Sequence, residues 1–410
     1  MENKLKKNAI WNTVGITFNS FNSLFFLIIV NRVNGVKTAG VFSFAFSMSC
    51  LLYVVGIYAG RTYQVSDVRE DINDKEYLLH KILTCMGMLI ICIVFIAVRN
   101  YTSEKSIIIV IMCLYKCLEA FDDTLYGYLQ KNEELHIVGK SLFLKSLMGL
   151  IVFCAVDIKT NNLLLACIML TVNSIVFVMF YDIRKSIHLI KKDRPHWNKV
   201  GSLFKKGFPV FAFSFLAIYI VSIQKYIIDF VMDDVAQTIF GIIVMPGTIM
   251  SLCGQYITAP LLTKIVYCYD VKQYNEFKKI INRMILLLLG FGICAELAAY
   301  LLGIPVLSYI YAIELKQYKI DLLMIILGAI LYAMAGVYST ALVTMRKNNV
   351  QLLIYLIDSV IGVVVSYFLV MSYGIHGAVA GYTITMIPHI VLYRGYFEKE
   401  YHKWKNEKER

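Results

Sequence analysis

The sequence predicts an all-α integral membrane protein with twelve transmembrane helices in two six-helix bundles. Of its 410 residues, 59% are apolar and 17% are charged, whereas soluble globular domains are about half apolar and about one quarter charged. At about 20 residues per spanning helix, this apolar content is enough for a dozen spans. A long charged segment near the middle separates the apolar runs into two groups of six.

Apolar runs between charged breaks predict each helix in order. The first six cover residues 8–30, 38–60, 77–98, 105–128, 140–158 and 161–181. The second six cover residues 207–231, 236–263, 283–304, 320–344, 350–371 and 375–394. The first run follows a basic segment as in a signal peptide, but asparagines interrupt it and no clear cleavage site follows. It is therefore expected to be an uncleaved span.

The distribution of basic residues predicts the orientation in the membrane. Both termini and the loops after even-numbered helices carry 29 of the 40 Lys and Arg residues, and the opposite side carries 7. Because basic residues are retained on the cytoplasmic side, both termini are expected in the cytoplasm. The formal net charge of +12 is thus explained by topology, and no nucleic-acid partner is predicted.

The charged loop 182–206 is expected to join two domains, residues 1–200 and 201–410. A shift of 198 residues superposes Lys7 on Lys205 and Gly56 on Gly254, with similar matches at Phe42 and Tyr58. These weak matches indicate a parallel repeat of six helices, and two equivalent bundles would enclose a cleft.

The fourth helix places several polar side chains on one face. At 100° per residue, one arc of about 120° contains Lys116, Glu119, Asp122, Asp123 and Tyr126. Charged groups in a span are expected to face protein or water. Two interpretations remain open: internal neutralisation, with Lys116 paired to Glu119 and a base of a neighbouring helix paired to Asp123, or a substrate or proton site.

The first helix is unusually polar for a membrane span. Asn12, Asn19 and Asn22 lie on it among four Ser and Thr residues. Such side chains can hold helices together, each contributing on the order of 1 kcal/mol. The helix therefore either lines an aqueous cavity or packs tightly through these groups.

The seventh helix carries Lys225 and Asp229 near its predicted outer end. They can pair at a spacing of four residues, or Lys225 can extend to the interface. Glu296 and Asp358 are interpreted as lone acids within spans, and His376 and His389 as packing residues.

The sequence contains none of the catalytic or cofactor motifs HExxH, CxxC or GxSxG. Gly139-Lys140-Ser141 lacks the context of a nucleotide-binding loop. We therefore expect no catalytic residue, no metal and no cofactor, which favours a transporter over an enzyme.

Several segments resemble the bacterial polysaccharide and O-antigen flippases, which form the polysaccharide transporter family of the multidrug/oligosaccharidyl-lipid/polysaccharide exporter superfamily. They are KKNAIWN at residues 6–12, NRVNGVKTAGVFSFAFS at 31–47, VSIQKYIIDFVMDDVAQTIFGIIVM at 221–245 and SYGIHGAVAGYTITMI at 372–387. The family's Asp-Arg pair is Gln224-Lys225 here, which keeps one positive charge without the bidentate geometry of Arg.

The resemblance implies two bundles around a V-shaped central cavity that opens alternately to each side. It implies transfer of an undecaprenyl-pyrophosphate-linked oligosaccharide, an O-antigen or capsule repeat unit, from the inner to the outer leaflet of the bacterial cytoplasmic membrane. Membrane lipids, and the polysaccharide polymerase with its chain-length machinery, are the implied partners.

A pyrophosphate needs cations along its path, and its sugars need polar groups. The candidate cations are Arg61, Lys116 and Lys225; Asn12, Asn19 and Asn22 would contact sugar hydroxyls. Glu119 and Asp123 are the candidates for coupling to protons or another cation. The alternatives are a cation-coupled multidrug exporter of the same superfamily and a membrane glycosyltransferase or polymerase.

Overall fold

The computed structural model describes residues 2–67, 71–191 and 194–406, and every regular element in these ranges is a helix. The described chain forms two compact units, Met1–Phe215 and Leu216–Arg410. The predicted all-helical class is confirmed.

The first unit contains six long helices and two short ones, together with the first part of a further long helix. The helices are α1 (Glu2–Asn34), α2 (Val36–Ile57), α3 (Gly60–Ser66), α4 (Asp74–Arg99), α5 (Ser103–Lys131), α6 (Leu135–Thr160), α7 (Leu163–Phe177) and α8 (Ile183–Ser186). A π-helical segment, Val178–Asp182, connects α7 to α8. Helix α9 (Trp197–Val231) begins in this unit and continues into the second.

The second unit contains the rest of α9 and five more helices: α10 (Asp234–Asp270), α11 (Tyr274–Ala298), α12 (Ile304–Tyr311), α13 (Lys319–Thr344) and α14 (Asn348–Asn406). Another π-helical segment, Ala299–Gly303, joins α11 to α12. Within α14, Gly374 has a φ of 58° and a ψ of −129°, so the chain breaks there into two helices. This break matches the predicted separation of residues 350–371 from 375–394.

Local capping explains why the helices of the first unit begin and end where they do. Helix α4 begins with a capping box, in which the backbone N–H of Asn73 donates to Oε2 of Glu76 at 2.8 Å. Asn100 and Asn161 end α4 and α6 in the left-handed conformation, with φ of 51° and 49°. Asn is among the few residues that adopt this conformation readily.

Ten helical stretches of the described residues are long and apolar enough to span a membrane. One of them, residues 349–406, contains the two helices that Gly374 separates, and α5 is not among the ten. Counting α5 and both parts of α14, each of the twelve predicted helices has a counterpart.

The observed helices extend beyond the apolar runs that predicted them. The predicted loop 182–206 contains the end of the π segment, α8 and the first ten residues of α9. Asp182 therefore lies in a helical segment and is 1% exposed, which corrects its assignment to a loop. Hydropathy does not detect such extensions because polar helix ends lower the local average.

Candidate functional site in the first unit

A sharp break between α2 and α3 positions the first candidate residue, Arg61. Tyr58 and Ala59 both have positive φ, 39° and 55°, which ends α2 before α3 begins at Gly60. Arg61, on the first turn of α3, donates two hydrogen bonds to Oε1 of Gln130 on α5, from Nε at 2.9 Å and from Nη2 at 2.7 Å. The guanidinium is thereby fixed against α5.

Asp123 lies within ion-pair distance of two bases. Its Oδ1 is 3.6 Å from Nη1 of Arg61, and its Oδ2 is 3.8 Å from Nζ of Lys81. Because each carboxylate oxygen faces a different base, Asp123 links α3, α4 and α5. The three ionised groups together carry one excess positive charge.

Lys81 lies in the predicted span 77–98 and was not identified as a site residue from the sequence. Its side chain is fully buried, and Nζ donates to the carbonyl oxygens of Gly56 and Ile57, both at 3.1 Å. These carbonyls belong to the last turn of α2, where helical partners are missing and the helix dipole favours a cation. Lys81 thus caps α2 and holds a positive charge beside Asp123.

A cavity of about 490 Å³ with both polar and apolar walls opens beside this group of charges. It is lined by Ile57, Ala59, Arg61, Thr62, Val65, Ser66, Asp123 and Gln130. Hydroxyl, amide, carboxylate and guanidinium groups therefore share one cavity. We call it the Arg61 cavity. Of the predicted site residues, Arg61 and Asp123 are brought together here.

Lys116 and Glu119 form an ion pair on α5, with Nζ 2.6 Å from Oε2 and each side chain 12% exposed. The ammonium group also lies 5.1 Å from the ring centre of Phe46 and 5.2 Å from that of Tyr115. Such cation–π contacts stabilise a partly desolvated charge. This arrangement corresponds to the internal-neutralisation alternative for Lys116.

The polar face of α5 contacts a third group of charges around Lys145 of α6. Lys145 donates to Asp122 and, at 3.1 Å, to the hydroxyl of Tyr126, and its Nζ lies 3.6 Å from Oδ2 of Asp182. Ser141 donates to Oδ1 of Asp182 at 2.5 Å. We call Asp122, Tyr126, Ser141, Lys145 and Asp182 the Lys145 cluster; all five are buried.

The asparagines of α1 face α6. The side chain of Asn22 is 3% exposed and donates to the carbonyl of Ser146 at 3.3 Å, while Oδ1 of Asn19 accepts from the Ser146 hydroxyl at 2.8 Å. Gly15 and Gly139 allow the two backbones to approach closely, since a Cβ at Gly139 would lie 2.1 Å from the Trp11 carbonyl oxygen. Asn12 lies half-buried near this crossing.

Lys225 belongs to the second unit, on α9, and is half-buried. Its neighbour Gln224 is fully buried and donates to the hydroxyl of Ser366 at 3.0 Å. Gln224 stands where the flippases that the sequence resembles have an acid. Its amide makes a hydrogen bond between α9 and α14.

Buried acids of the second unit pair with histidines. Oδ2 of Asp358 lies 2.7 Å from Nδ1 of His389, and both side chains are at most 1% exposed. The His389 ring stacks on Tyr332 with an interplanar angle of 15°. Asp358 was interpreted as a lone acid, and this is wrong; the sequence separation of 31 residues hides the pair.

A second cavity of the first unit, of about 590 Å³, has an almost entirely apolar lining. It lies among α4, α5 and the segment after α7, and its lining includes Leu79, Ile82, Phe121, Leu125 and Ile187. At 100° per residue, Phe121 and Leu125 are on the opposite face of α5 from Asp123 and Gln130. The apolar cavity and the Arg61 cavity therefore use different sides of one helix.

Comparison with known proteins identifies one relative by sequence and several solved structures with a similar fold. No family model matches the chain. A capsular polysaccharide biosynthesis protein, CapF of Staphylococcus aureus, is 23% identical over 400 residues, which cover 96% of this chain and 99% of that protein.

Two solved structures illustrate the similarity of fold. The lipid II flippase MurJ in an inward closed conformation aligns with a TM-score of 0.73 and 13% identity, over 97% of this chain and 90% of that one. An inward-facing multidrug resistance transporter of the MATE family and the MOP superfamily aligns with a TM-score of 0.70 and 11% identity, over 96% and 99%. The chain therefore shares the fold of these MOP-superfamily and MurJ structures, and the predicted resemblance is confirmed at the level of that fold and of a full-length likeness to a capsular polysaccharide biosynthesis protein.

Proposed function

We propose that the protein is a flippase that moves an undecaprenyl-pyrophosphate-linked oligosaccharide, a capsule or O-antigen repeat unit, from the inner to the outer leaflet of the bacterial cytoplasmic membrane. Transport proceeds by alternating access, with both termini in the cytoplasm. The observation that carries the proposal is the Arg61 cavity, in a chain similar to a capsular polysaccharide biosynthesis protein and to a lipid II flippase in fold.

The chemistry of the cavity suits a phosphorylated sugar. An anionic headgroup cannot cross hydrocarbon without cations around it. Arg61 presents a planar set of donors that matches phosphate oxygens, and its guanidinium is held in place by Gln130. Thr62, Ser66 and Gln130 add hydroxyl and amide groups that can hydrogen-bond to a sugar.

The other candidate residues differ in how well their contacts suit a role in substrate binding. Lys225 stays the candidate cation of the second unit. Lys116 is the weaker candidate of the first unit, because Glu119 balances its charge at 2.6 Å. Asn12 is a better candidate for sugar contact than Asn19 or Asn22, because Ser146 occupies the side chains of the latter two. Coupling through Glu119 and Asp123 stays a prediction.

The proposed partners of the protein are membrane lipids and the proteins that polymerise the polysaccharide. The apolar cavity beside Ile82 and Leu125 is expected to hold chains of membrane lipids, since its lining offers almost no polar partner. The polymerase and its chain-length machinery, which would consume the translocated unit, remain proposed partners. The protein itself would act as a transporter and not as a glycosyltransferase.

A multidrug exporter is the second candidate, because a MATE-family transporter aligns over 96% of the chain. The charges favour the flippase: two bases, Arg61 and Lys81, flank a single acid, Asp123. A site for cationic drugs would require an excess of acid.

Complementation of a capsule-producing strain that lacks its own flippase tests the proposal. The wild-type chain should restore surface polysaccharide, and Arg61→Ala should not. Arg184→Ala, which changes an exposed arginine of α8, is the matched control and should complement normally. Restored drug resistance without restored polysaccharide would favour the multidrug exporter.

A further inference from the structure

The Lys145 cluster has an imbalance of charge that its surroundings do not correct. Asp122 and Asp182 are 0% and 1% exposed, and Lys145 is 6% exposed. Lys145 is the one base within ion-pair distance of either carboxyl group among the described residues. If all three groups were ionised, the bundle interior would hold an unbalanced negative charge, which is strongly unfavourable in a buried site.

The remaining neighbours are neutral or already paired. Tyr126 of α5 and Ser141 of α6 contribute hydroxyl groups, and Asn173 of α7 donates to the backbone carbonyl of Lys145 at 3.2 Å. The next acid along α5, Glu119, has its own base in Lys116. None of these groups supplies the missing positive charge.

Two carboxyl oxygens of the cluster accept no hydrogen bond from the described residues: Oδ1 of Asp122 and Oδ2 of Asp182. The second lies 3.6 Å from Nζ of Lys145, which is within ion-pair distance but outside hydrogen-bond distance. A buried carboxylate oxygen without a donor is costly, whereas a protonated carboxyl group becomes a donor itself. The excess negative charge and the two carboxyl oxygens without a donor therefore both indicate that one of the two carboxyl groups carries a proton.

The π-helical segment is the element that brings the second acid into the cluster. Val178–Asp182 adds a wider turn after α7, and Asp182 is its last residue. π-Helical segments are rare in proteins, and those that occur are often found at functional sites. Asp182 thereby joins the segment after α7 to α6 through Lys145 and Ser141, and Lys145 in turn contacts Asp122 of α5.

We propose that Asp122 and Asp182 form a proton-binding site that takes up one proton beside Lys145. Uptake of a proton from water by either carboxylate forms one O–H bond and changes the cluster from a net charge of −1 to neutral; release reverses both changes. The bound state stabilises the packing of α5, α6 and the π segment. The ionised state favours water entry and separation of these elements, because the excess charge is then exposed to solvent.

The proposal that Asp122 and Asp182 bind a proton depends only on the geometry of the first unit. The proposal that this proton drives transport rests also on the proposed function. Two measurements separate these claims. Infrared difference spectroscopy of the purified, membrane-reconstituted protein detects protonated carboxyl groups without any substrate, and a flipping assay in proteoliposomes tests coupling to a pH gradient.

In the infrared measurement, the wild type labelled with ¹³C-aspartate should show a titrating, deuterium-sensitive band of protonated aspartate. Asp182→Asn and Asp122→Asn should each remove a part of that band. Asp270→Asn, which changes an exposed aspartate at the end of α10, is the control and should leave it unchanged. If the variants fail to fold, a labelled wild type without any protonated aspartate band across the stable pH range overturns the proposal.

In the flipping assay, a pH gradient should accelerate the wild type, and Asp182→Asn should lose that acceleration. Retained acceleration in Asp182→Asn overturns the coupling role, as does acceleration of the wild type by sodium alone. A wild type that shows the infrared band but moves no lipid-linked oligosaccharide would contradict the proposed function and support the proton site.

Discussion

Oδ2 of Asp123 lies 3.8 Å from Nζ of the fully buried Lys81, and the same lysine donates to two carbonyls at the end of α2. One side chain therefore ends a helix and sets the charge beside the Arg61 cavity. Removal of either partner is expected to affect both stability and function.

Lys81→Met should lower the thermal stability of the detergent-solubilised protein. The substitution leaves two carbonyls of α2 without their donor and Asp123 with one base fewer, a loss of about 2 to 5 kcal/mol. Lys159→Met, at an exposed position, is the control and should change the melting temperature little. Equal melting temperatures for the two variants would refute the capping role of Lys81.

Arg61→Lys should reduce glycan export less than Arg61→Ala but should not restore wild-type export. Lysine keeps the positive charge, yet it cannot reproduce the two hydrogen bonds that Nε and Nη2 of Arg61 donate to Oε1 of Gln130. Loss of one charge-assisted hydrogen bond, about 1.5 to 3 kcal/mol, corresponds to at least a tenfold lower transport rate. Surface polysaccharide, quantified at equal protein levels, checks this order of activities.

Asn22→Leu should lower stability, since the Asn22 amide donates to the Ser146 carbonyl in the seam between α1 and α6. Hydrogen bonds between membrane helices contribute about 1 kcal/mol each. Ser20→Ala is a suitable control because the exposed Ser20 hydroxyl bonds within its own helix, to the Ile16 carbonyl. A sugar-binding role would instead appear as lost export by Asn22→Leu with an unchanged melting temperature.

Gly139→Ala should prevent the close approach of α1 and α6. The added Cβ would lie 2.1 Å from the carbonyl oxygen of Trp11, so one helix must move. Gly87→Ala in α4 meets no atom within 4 Å and should be neutral or stabilising by up to about 1 kcal/mol. A melting temperature for Gly139→Ala at or above that of the wild type would contradict the observed crossing.

The twelve helices were predictable because the membrane requires long apolar runs, and those runs are visible in the sequence. The polar face of α5 was predictable for the same reason, since helical periodicity places Lys116, Glu119 and Asp123 together. The ion pair between Lys116 and Glu119 could be predicted from their spacing along one helix. It corresponds to the internal-neutralisation alternative that the sequence analysis kept open for this face.

Partners from distant parts of the chain were not predictable. The sequence places Asp182 at the start of a charged loop, and only the π segment shows that it faces Lys145 on another helix. The pairing of Asp358 with His389 was missed for the same reason: hydropathy identifies spans but contains no information on which helices are neighbours. Lys81 is a charged residue within the predicted span 77–98, but its carbonyl partners depend on where α2 ends.

Reconstituted flipping is the most direct test of the central claim. Purified protein is placed in liposomes that contain a fluorescent undecaprenyl-pyrophosphate-linked oligosaccharide, and exposure of the sugar to an added glycosidase is followed over time. We predict that the wild type and Arg184→Ala translocate the lipid, whereas Arg61→Ala does so at least tenfold more slowly, the equivalent of about 1.4 kcal/mol or more. Equal rates for liposomes with and without the wild-type protein, or for Arg61→Ala and the wild type, would contradict the account.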